Sequence, residues 1–467
     1  MSDEFRIEHD SLGELKVPRK ALYGVQTQRA VENWKVSGIM EPEVFVRSYV
    51  MIKRAAAKVN QDLGMIDVEK SKSIQAAADE ILKEAKHYDQ FVVDVYQAGA
   101  GTSFNMNCNE VLANLAIQKA GKKLGDYSYI HPNDHVNMAQ STNDSFPTAI
   151  RISMLLGHQE LTKVIKRCVG IFQTKAKDFD RVLSSSRTHL QDAVPMRLGQ
   201  AFGAFADSVE KDLKRLEFAV EELSYLNIGG TAAGTGMNSH PDYAQKMAAE
   251  LSQLTGLKLK RGRNLVELSQ NMSDCSFYSA ALRNLSLTLT KIVNDLRLMS
   301  SGPTTGLEEI NLPAVQPGSS IMPGKVNPSM LEMLNQVLFD VMGKDTTVSY
   351  CTQAGQFQLN VMMPIVAYNL VMSLQILTNG LSIVNEKCFA GITANEKRCR
   401  TYFASSMGLA TALNTVVGYE KAAEVVKKAL KEDKAIADLV VEMGYLSKEE
   451  VEKYFSYNLT EAGFIKK

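Results

Sequence analysis

Only 12 prolines occur in 467 residues, and five of them (Pro303, Pro313, Pro317, Pro323, Pro328) crowd into one short stretch. Proline within a helix removes a backbone donor and clashes with the preceding turn. The proline-free stretches 196–240, 242–302 and 365 to the C-terminus are therefore where long helices are expected. Their apolar residues keep helical spacing. Leu282, Leu285, Leu289, Ile292, Leu296 and Met299 step by three and four, and Leu198, Phe202, Phe205, Val209, Leu213, Leu216, Val220 and Leu223 do nearly the same. Such alternation is the seam of a helical bundle. The pattern predicts two helices of about 35 to 40 residues, each more than about 50 Å long at the usual rise per residue. Segments 330–343 and 365–384 add two more apolar helices, so the expected class is all-α. Rods of this length leave apolar surface that one chain cannot cover, which predicts a homo-oligomer.

The sequence falls into three expected domains. A mixed, mainly helical region spans 1–142, a central bundle spans 143–397 and includes the segment 318–330, and a small helical domain spans 398–467. No internal repeat or low-complexity tract interrupts them.

The 52 basic and 52 acidic side chains balance, which gives no support to a nucleic-acid or membrane-surface partner. Six scattered cysteines form no CxxC pair and no zinc-finger spacing, as expected of reduced thiols in a cytoplasmic protein. The N-terminus is charged from its third residue, without the apolar core of a secretory signal, and no run approaches 18 apolar residues.

Against this background, four segments stand out for hydroxyl and amide side chains: GTSFNMNCNE (101–110), HVNMAQSTND (135–144), SRTHLQD (186–192) and GSSIMPGKVNPSM (318–330). Any one of them alone reads most simply as caps and turns. Four together, with one lysine, Lys325, are the donors that a small anionic substrate such as a carboxylate would need. A P-loop fails on spacing, because five residues separate Gly318 from Gly324 and Val326 follows the lysine. GGTAAGTG (229–236) contains no GxGxxG and follows a helix. His131 and His135 stand four apart, but Pro132 lies between them and no third ligand is evident, so no metal site is expected.

These segments resemble, in order, the conserved blocks of the fumarase/aspartase superfamily, whose signature loop is similar to GSSIMPGKVNP. The resemblance runs from YGVQTQRA (23–30) to NTVVGYEKAA (414–423). Where fumarases typically read SGTQxNMN, VNKSQSSND and NEPGSSIMPGKVNP, this chain reads AGTSFNMN, VNMAQSTND and VQPGSSIMPGKVNP, which is closer to the aspartate ammonia-lyases. The resemblance implies reversible β-elimination of ammonia from L-aspartate to give fumarate, through an enediolate and without a cofactor. Activation by a divalent ion stays open.

The same resemblance carries roles onto this sequence. It makes Ser319 the general base on a mobile loop. Thr102, Ser141, Thr142 and Ser319 match positions around the β-carboxylate. Lys325 and Asn327 match those at the α-carboxylate, while Asn143, Thr188 and His189 match those near the amine. Glu332 matches a position that pairs with the histidine, and His189 either protonates the leaving amine or orients it. HPND (131–134) matches a second dicarboxylate site of fumarases. The implied assembly is a homotetramer built on five long helices per subunit, with active sites shared between subunits. Ser186, Ala139, Thr304 and Gln358 depart from the common pattern without removing any residue assigned to chemistry. The competing expectations are a class II fumarase, which would add water in place of ammonia, and a catalytically silent helical scaffold.

Overall fold

A computed structural model describes residues 4–461; the first three and last six residues of the expected terminal domains lie outside the described residues. The fold is mainly helical, with four two-stranded sheets. It divides into two compact units. One comprises Met1–Thr162, Lys214–Asn284 and Phe339–Thr378; the other comprises Lys163–Leu213, Leu285–Leu338 and Asn379–Lys467.

Five long helices contribute residues to both units: Thr142–Asp178, Leu198–Glu222, Ser273–Met299, Ser329–Gln353 and Met363–Lys387. The two apolar stripes lie on the second and third of these, and their seam residues are buried except Val220 and Met299, which are half-buried near the helix C-terminal ends. Their lengths differ from expectation, at 25 and 27 residues rather than 35 to 40. A proline-free stretch permits a helix without sustaining one. The first stripe starts only after a strand containing Pro195 and ends before the glycine-rich turn at 229–236. The longest helix, 37 residues, is Thr142–Asp178, which tolerates Pro147 near its start. Pro147 is the sixth residue of the helix, and the Asn143 carbonyl that its missing N–H would have bonded accepts the Asn227 side-chain amide at 3.1 Å instead. Among the described residues, one segment, Met363–Gly391, has the length and apolar composition to cross a bilayer, and 56% of that window is buried inside the protein.

The first unit opens with an antiparallel hairpin, Phe5–Asp10 against Gly13–Pro18. Helices Glu43–Asp62, Val68–Glu84 and Thr102–Lys119 follow. Phe45, Tyr49, Phe104 and Phe146 pack ring to ring, with centroids 4.9 Å apart for Phe45–Phe146 and 5.2 Å for Tyr49–Phe104. This cluster fixes the first and third of these helices against the start of Thr142–Asp178.

The second unit contains the hairpin Leu183–Thr188/Gln191–Arg197, with a bulge between Ser185 and Arg187. Its C-terminal helices bury a separate core that includes Phe403, Leu413, Val425, Ile436 and Leu439. Ser185 Oγ donates to the Ser406 hydroxyl at 2.8 Å, and Arg187 forks onto buried Glu309 at 2.9 and 3.1 Å.

Candidate active site

In the first unit, helix Thr102–Lys119 begins on a hydroxyl that faces solvent. The asparagine run behind Thr102 does not. Asn107 binds the backbone of Gln90 and Val92, and Asn114 binds those of Leu22 and Gly125. Glu110 accepts the N–H groups of Gly24, Gln26 and Thr27 at the start of another helix. Burial pushes the Glu110 carboxyl up, against the pull of those donors. Most of the donors in GTSFNMNCNE are thus internal braces, and only its start is exposed.

The segment before Thr142 is built by reciprocal capping. Ser141 Oγ accepts the N–H of Asn143 at 3.2 Å, while Asp144 Oδ1 accepts the N–H of Ser141 at 2.9 Å. The other oxygen of Asp144 accepts the N–H groups of Gly229 and Thr231 at 3.0 and 2.9 Å. Asn143 donates to the Ala232 carbonyl at 2.7 Å. One buried carboxylate therefore ties the helix start to the glycine-rich turn. Desolvation raises its pKa to about 7 despite three backbone donors. The glycines of that turn answer to packing: a Cβ on Gly234 would lie 2.3 Å from Val266, and one on Gly229 would lie 2.6 Å from Ala244.

The two hydroxyl-bearing helix starts are close neighbours. Gly101 holds φ +87°, and a Cβ there would lie 2.1 Å from the Phe146 ring, one turn into Thr142–Asp178. Thr102, Ser141, Thr142 and Asn143 thus stand at two neighbouring helix N-termini as a hydroxyl- and amide-bearing cradle, where the positive ends of the helix dipoles favour an anion.

The second unit holds the other predicted residues. Ser319 Oγ accepts the backbone N–H groups of Ile321 and Met322 at 3.2 and 2.9 Å. The loop closes on itself, with Gly318 N–H donating to the Lys325 carbonyl at 2.8 Å and the Asn327 amide donating to the Gly318 carbonyl at 2.6 Å. A Cβ on Gly318 would meet the Lys325 carbonyl at 2.5 Å, so this crossing requires glycine. Lys325, Asn327 and Glu332 line a cavity of about 780 Å³ together with Arg297, whose guanidinium lies 3.9 Å from Glu332. Thr188 and His189 stand exposed at the hairpin tip. His189 and Leu190 both have positive φ, 57° and 60°, the mark of a two-residue type I′ turn.

The paired histidines are accounted for locally. His131 Nδ1 accepts the N–H groups of Asn133 and Asp134, and His135 Nδ1 accepts that of His131. Sequence reasoning missed Lys53, Tyr49 and Asp144. Tyr49, Lys53 and Asn60, spaced by four and seven residues among apolar neighbours on one face of the helix, were the available signal for the first two.

A family model described as Lyase matches residues 13–343, and one described as Fumarase C C-terminus matches 409–460. The aspartate ammonia-lyase of Bacillus subtilis is 45% identical over 98% of this chain and 97% of its own length. A fumarate lyase:delta crystallin from Brucella melitensis, solved bound to cobalt, is 44% identical, with TM-score 0.94 over 98% of this chain and 100% of its own. A class II fumarase from Schistosoma mansoni is 32% identical, with TM-score 0.93 over 98% and 99%. The cradle, the glycine-pinned loop and these full-length likenesses agree, and the chain belongs to the fumarase/aspartase superfamily of lyases, among the aspartate ammonia-lyases.

Proposed function

We propose that this enzyme catalyses the reversible deamination of L-aspartate to fumarate and ammonia, with the residues of the cradle and the loop in the following roles. The carrying observation is the pair of helix N-termini, each opening on a hydroxyl and held together by Gly101 against Phe146. That arrangement suits the β-carboxylate, which takes up charge when a proton leaves the adjacent carbon. Ser319 removes that proton as an alkoxide. The electron pair is delocalised onto the carboxylate as an enediolate, then forms the carbon–carbon double bond as the C–N bond breaks. The ammonium group departs as ammonia. A serine alkoxide is costly in water, and the two N–H groups already directed at Ser319 Oγ lower that cost.

Lys325 and Asn327 hold the α-carboxylate; Asn143, Thr188 and His189 attend the amine. No cofactor takes part in any of these steps. Glu332 supports His189 from another subunit. A homotetramer is supported by large apolar side chains left exposed on the long helices, among them Phe218, Phe277, Leu287, Phe339 and Tyr350. Six free cysteines, five of them buried, support a cytoplasmic location, and a small dicarboxylate is the only partner besides the other subunits.

The test is the ultraviolet absorbance of fumarate's conjugated bond after mixing the protein with L-aspartate or, separately, with L-malate. A rise with aspartate alone is expected. A rise with malate alone would establish the fumarase reading; no rise with either would send the assay to other amino-dicarboxylates, and no turnover of any dicarboxylate would favour the silent scaffold.

A further inference from the structure

Beneath the cradle, helix Glu43–Asp62 places Lys53 entirely out of solvent. Its Nζ donates to Asn105 Oδ1 at 2.7 Å and to Asn137 Oδ1 at 2.9 Å. Asn105 lies one turn after Thr102, and Asn137 binds the Gln140 carbonyl just ahead of Ser141. Tyr49 OH lies 3.1 Å from Asn105 Oδ1 and 2.9 Å from Ser145 Oγ, and Ser145 Oγ lies 2.8 Å from the Ser141 carbonyl; the two hydroxyl protons serve two of these three contacts at a time. The ammonium thus reaches the backbone just ahead of Ser141 through Asn137, and its other acceptor, Asn105, stands one turn into the helix that Thr102 opens.

A buried ammonium is an expensive way to satisfy two amide oxygens. Neutral donors would brace the same backbone at lower cost. A charge adds something they cannot: a fixed positive potential behind two helix N-termini, which acts most strongly on an anion whose charge grows during the reaction.

We propose that Lys53 is a positioning residue of this reaction, acting through Asn105, Asn137 and the Tyr49–Ser145 relay to hold the cradle hydroxyls against the carboxylate that becomes an enediolate. The inference rests on the reaction proposed above. Lys53 touches no substrate; its effect is on the geometry and potential of groups that do.

The test compares Lys53→Met and Tyr49→Phe with the parent in kcat and in the inhibition constant of succinate, a dicarboxylate that cannot react. Oligomeric state and melting temperature are recorded for each. Lys53→Met is expected to lower kcat about a hundredfold, and Tyr49→Phe about tenfold, as misplacement of preorganised groups does. Succinate inhibition should change by less than about threefold, because ground-state binding draws little on the growing charge. If Lys53→Met fails to fold, Tyr49→Phe decides by the same criteria, since it removes one hydroxyl and keeps the ring. Parent-like kcat overturns the proposal, as does a loss of kcat matched by an equal loss of succinate affinity. Should the parent turn over malate instead of aspartate, the aspartate reading falls and the Lys53 comparison is read on malate.

Discussion

Gly101→Ala tests the junction on which the cradle depends. The native φ of +87° lies in the left-handed region, where an alanine costs about 1 to 2 kcal/mol. The new methyl would sit 2.1 Å from two carbons of Phe146, a ring that is fully buried and packed against Phe45 at 4.9 Å, so it cannot simply swing aside. Forcing extra volume into such a core costs a further ~1 to 3 kcal/mol, for a total of about 2 to 5 kcal/mol. Gly121→Ala is the internal control. Gly121 has a similar φ of +72° but nothing within 4 Å of an added Cβ, so only the backbone cost of about 1 to 2 kcal/mol applies. Urea unfolding followed by circular dichroism, with midpoints compared at equal slope, separates the two. Gly101→Ala should unfold at clearly lower urea than Gly121→Ala and should also lose turnover, because Thr102 moves with its neighbour. Equal midpoints for the two variants would refute the argument that Phe146 pins the helix starts together.

Ser319→Ala should cut turnover by at least about a hundredfold with the oligomer and its melting unchanged; activity above a few per cent of the parent removes Ser319 as the base. Lys325→Met should raise the KM for aspartate by the equivalent of about 2 to 5 kcal/mol, as expected when a bound carboxylate loses its charged partner. An unchanged KM contradicts that assignment. The buried Lys53 ammonium also predicts a pH dependence of stability. Desolvation depresses its pKa from 10.5 to about 8, with Cys108 and Asp144 pulling the other way. Between those values the unfolded chain binds the proton that the folded chain has released, so this group's contribution to stability is fully present above 10.5 and is lost as pH falls through about 8. Chemical unfolding across that window should show stability rising with pH in the parent and a flatter profile in Lys53→Met. Identical slopes would refute the burial cost assigned to Lys53.

The apolar stripes at 198–223 and 282–299 were legible because a helix seam writes its period directly into the sequence. Their ends were not. Pro147 sits inside the longest helix, while the proline-free 196–240 stretch contains a helix of only 25 residues. The hairpin that carries His189 left a weaker mark, since its strands, LSSSRT and QDAVPMR, are polar and interrupted by a bulge and a proline. Its two-residue turn uses His and Leu at positive φ, where Asn-Gly would have announced it. The donor-rich segments were legible as a set but not residue by residue. Asn105 and Asn107 look as available as Thr102 until the structure shows which side of the helix start is covered.

The loop around Ser319 has two faces with different work to do. On the inner side, the hydroxyl already accepts two N–H groups, and the Gly318–Lys325 and Asn327–Gly318 hydrogen bonds close the turn before any substrate arrives. On the outer side, Ile321 and Val326 are exposed, Ile321 by 83%. A segment whose turn hydrogen bonds are already made rearranges little when it closes over a ligand, whereas burial of its apolar side chains favours closure by about 25 cal/mol per Å². In the proposed reaction these two properties reinforce each other. Closure would exclude the water that stabilises a neutral serine poorly and an alkoxide well, and the preformed N–H pair would then be the principal stabilisation the alkoxide receives. Replacing Ile321 with serine should therefore weaken closure while leaving the Ser319 turn intact, lowering turnover with little change in the stability of the protein. A variant with parent-like kcat would mean that the exposed isoleucine contributes nothing to closure.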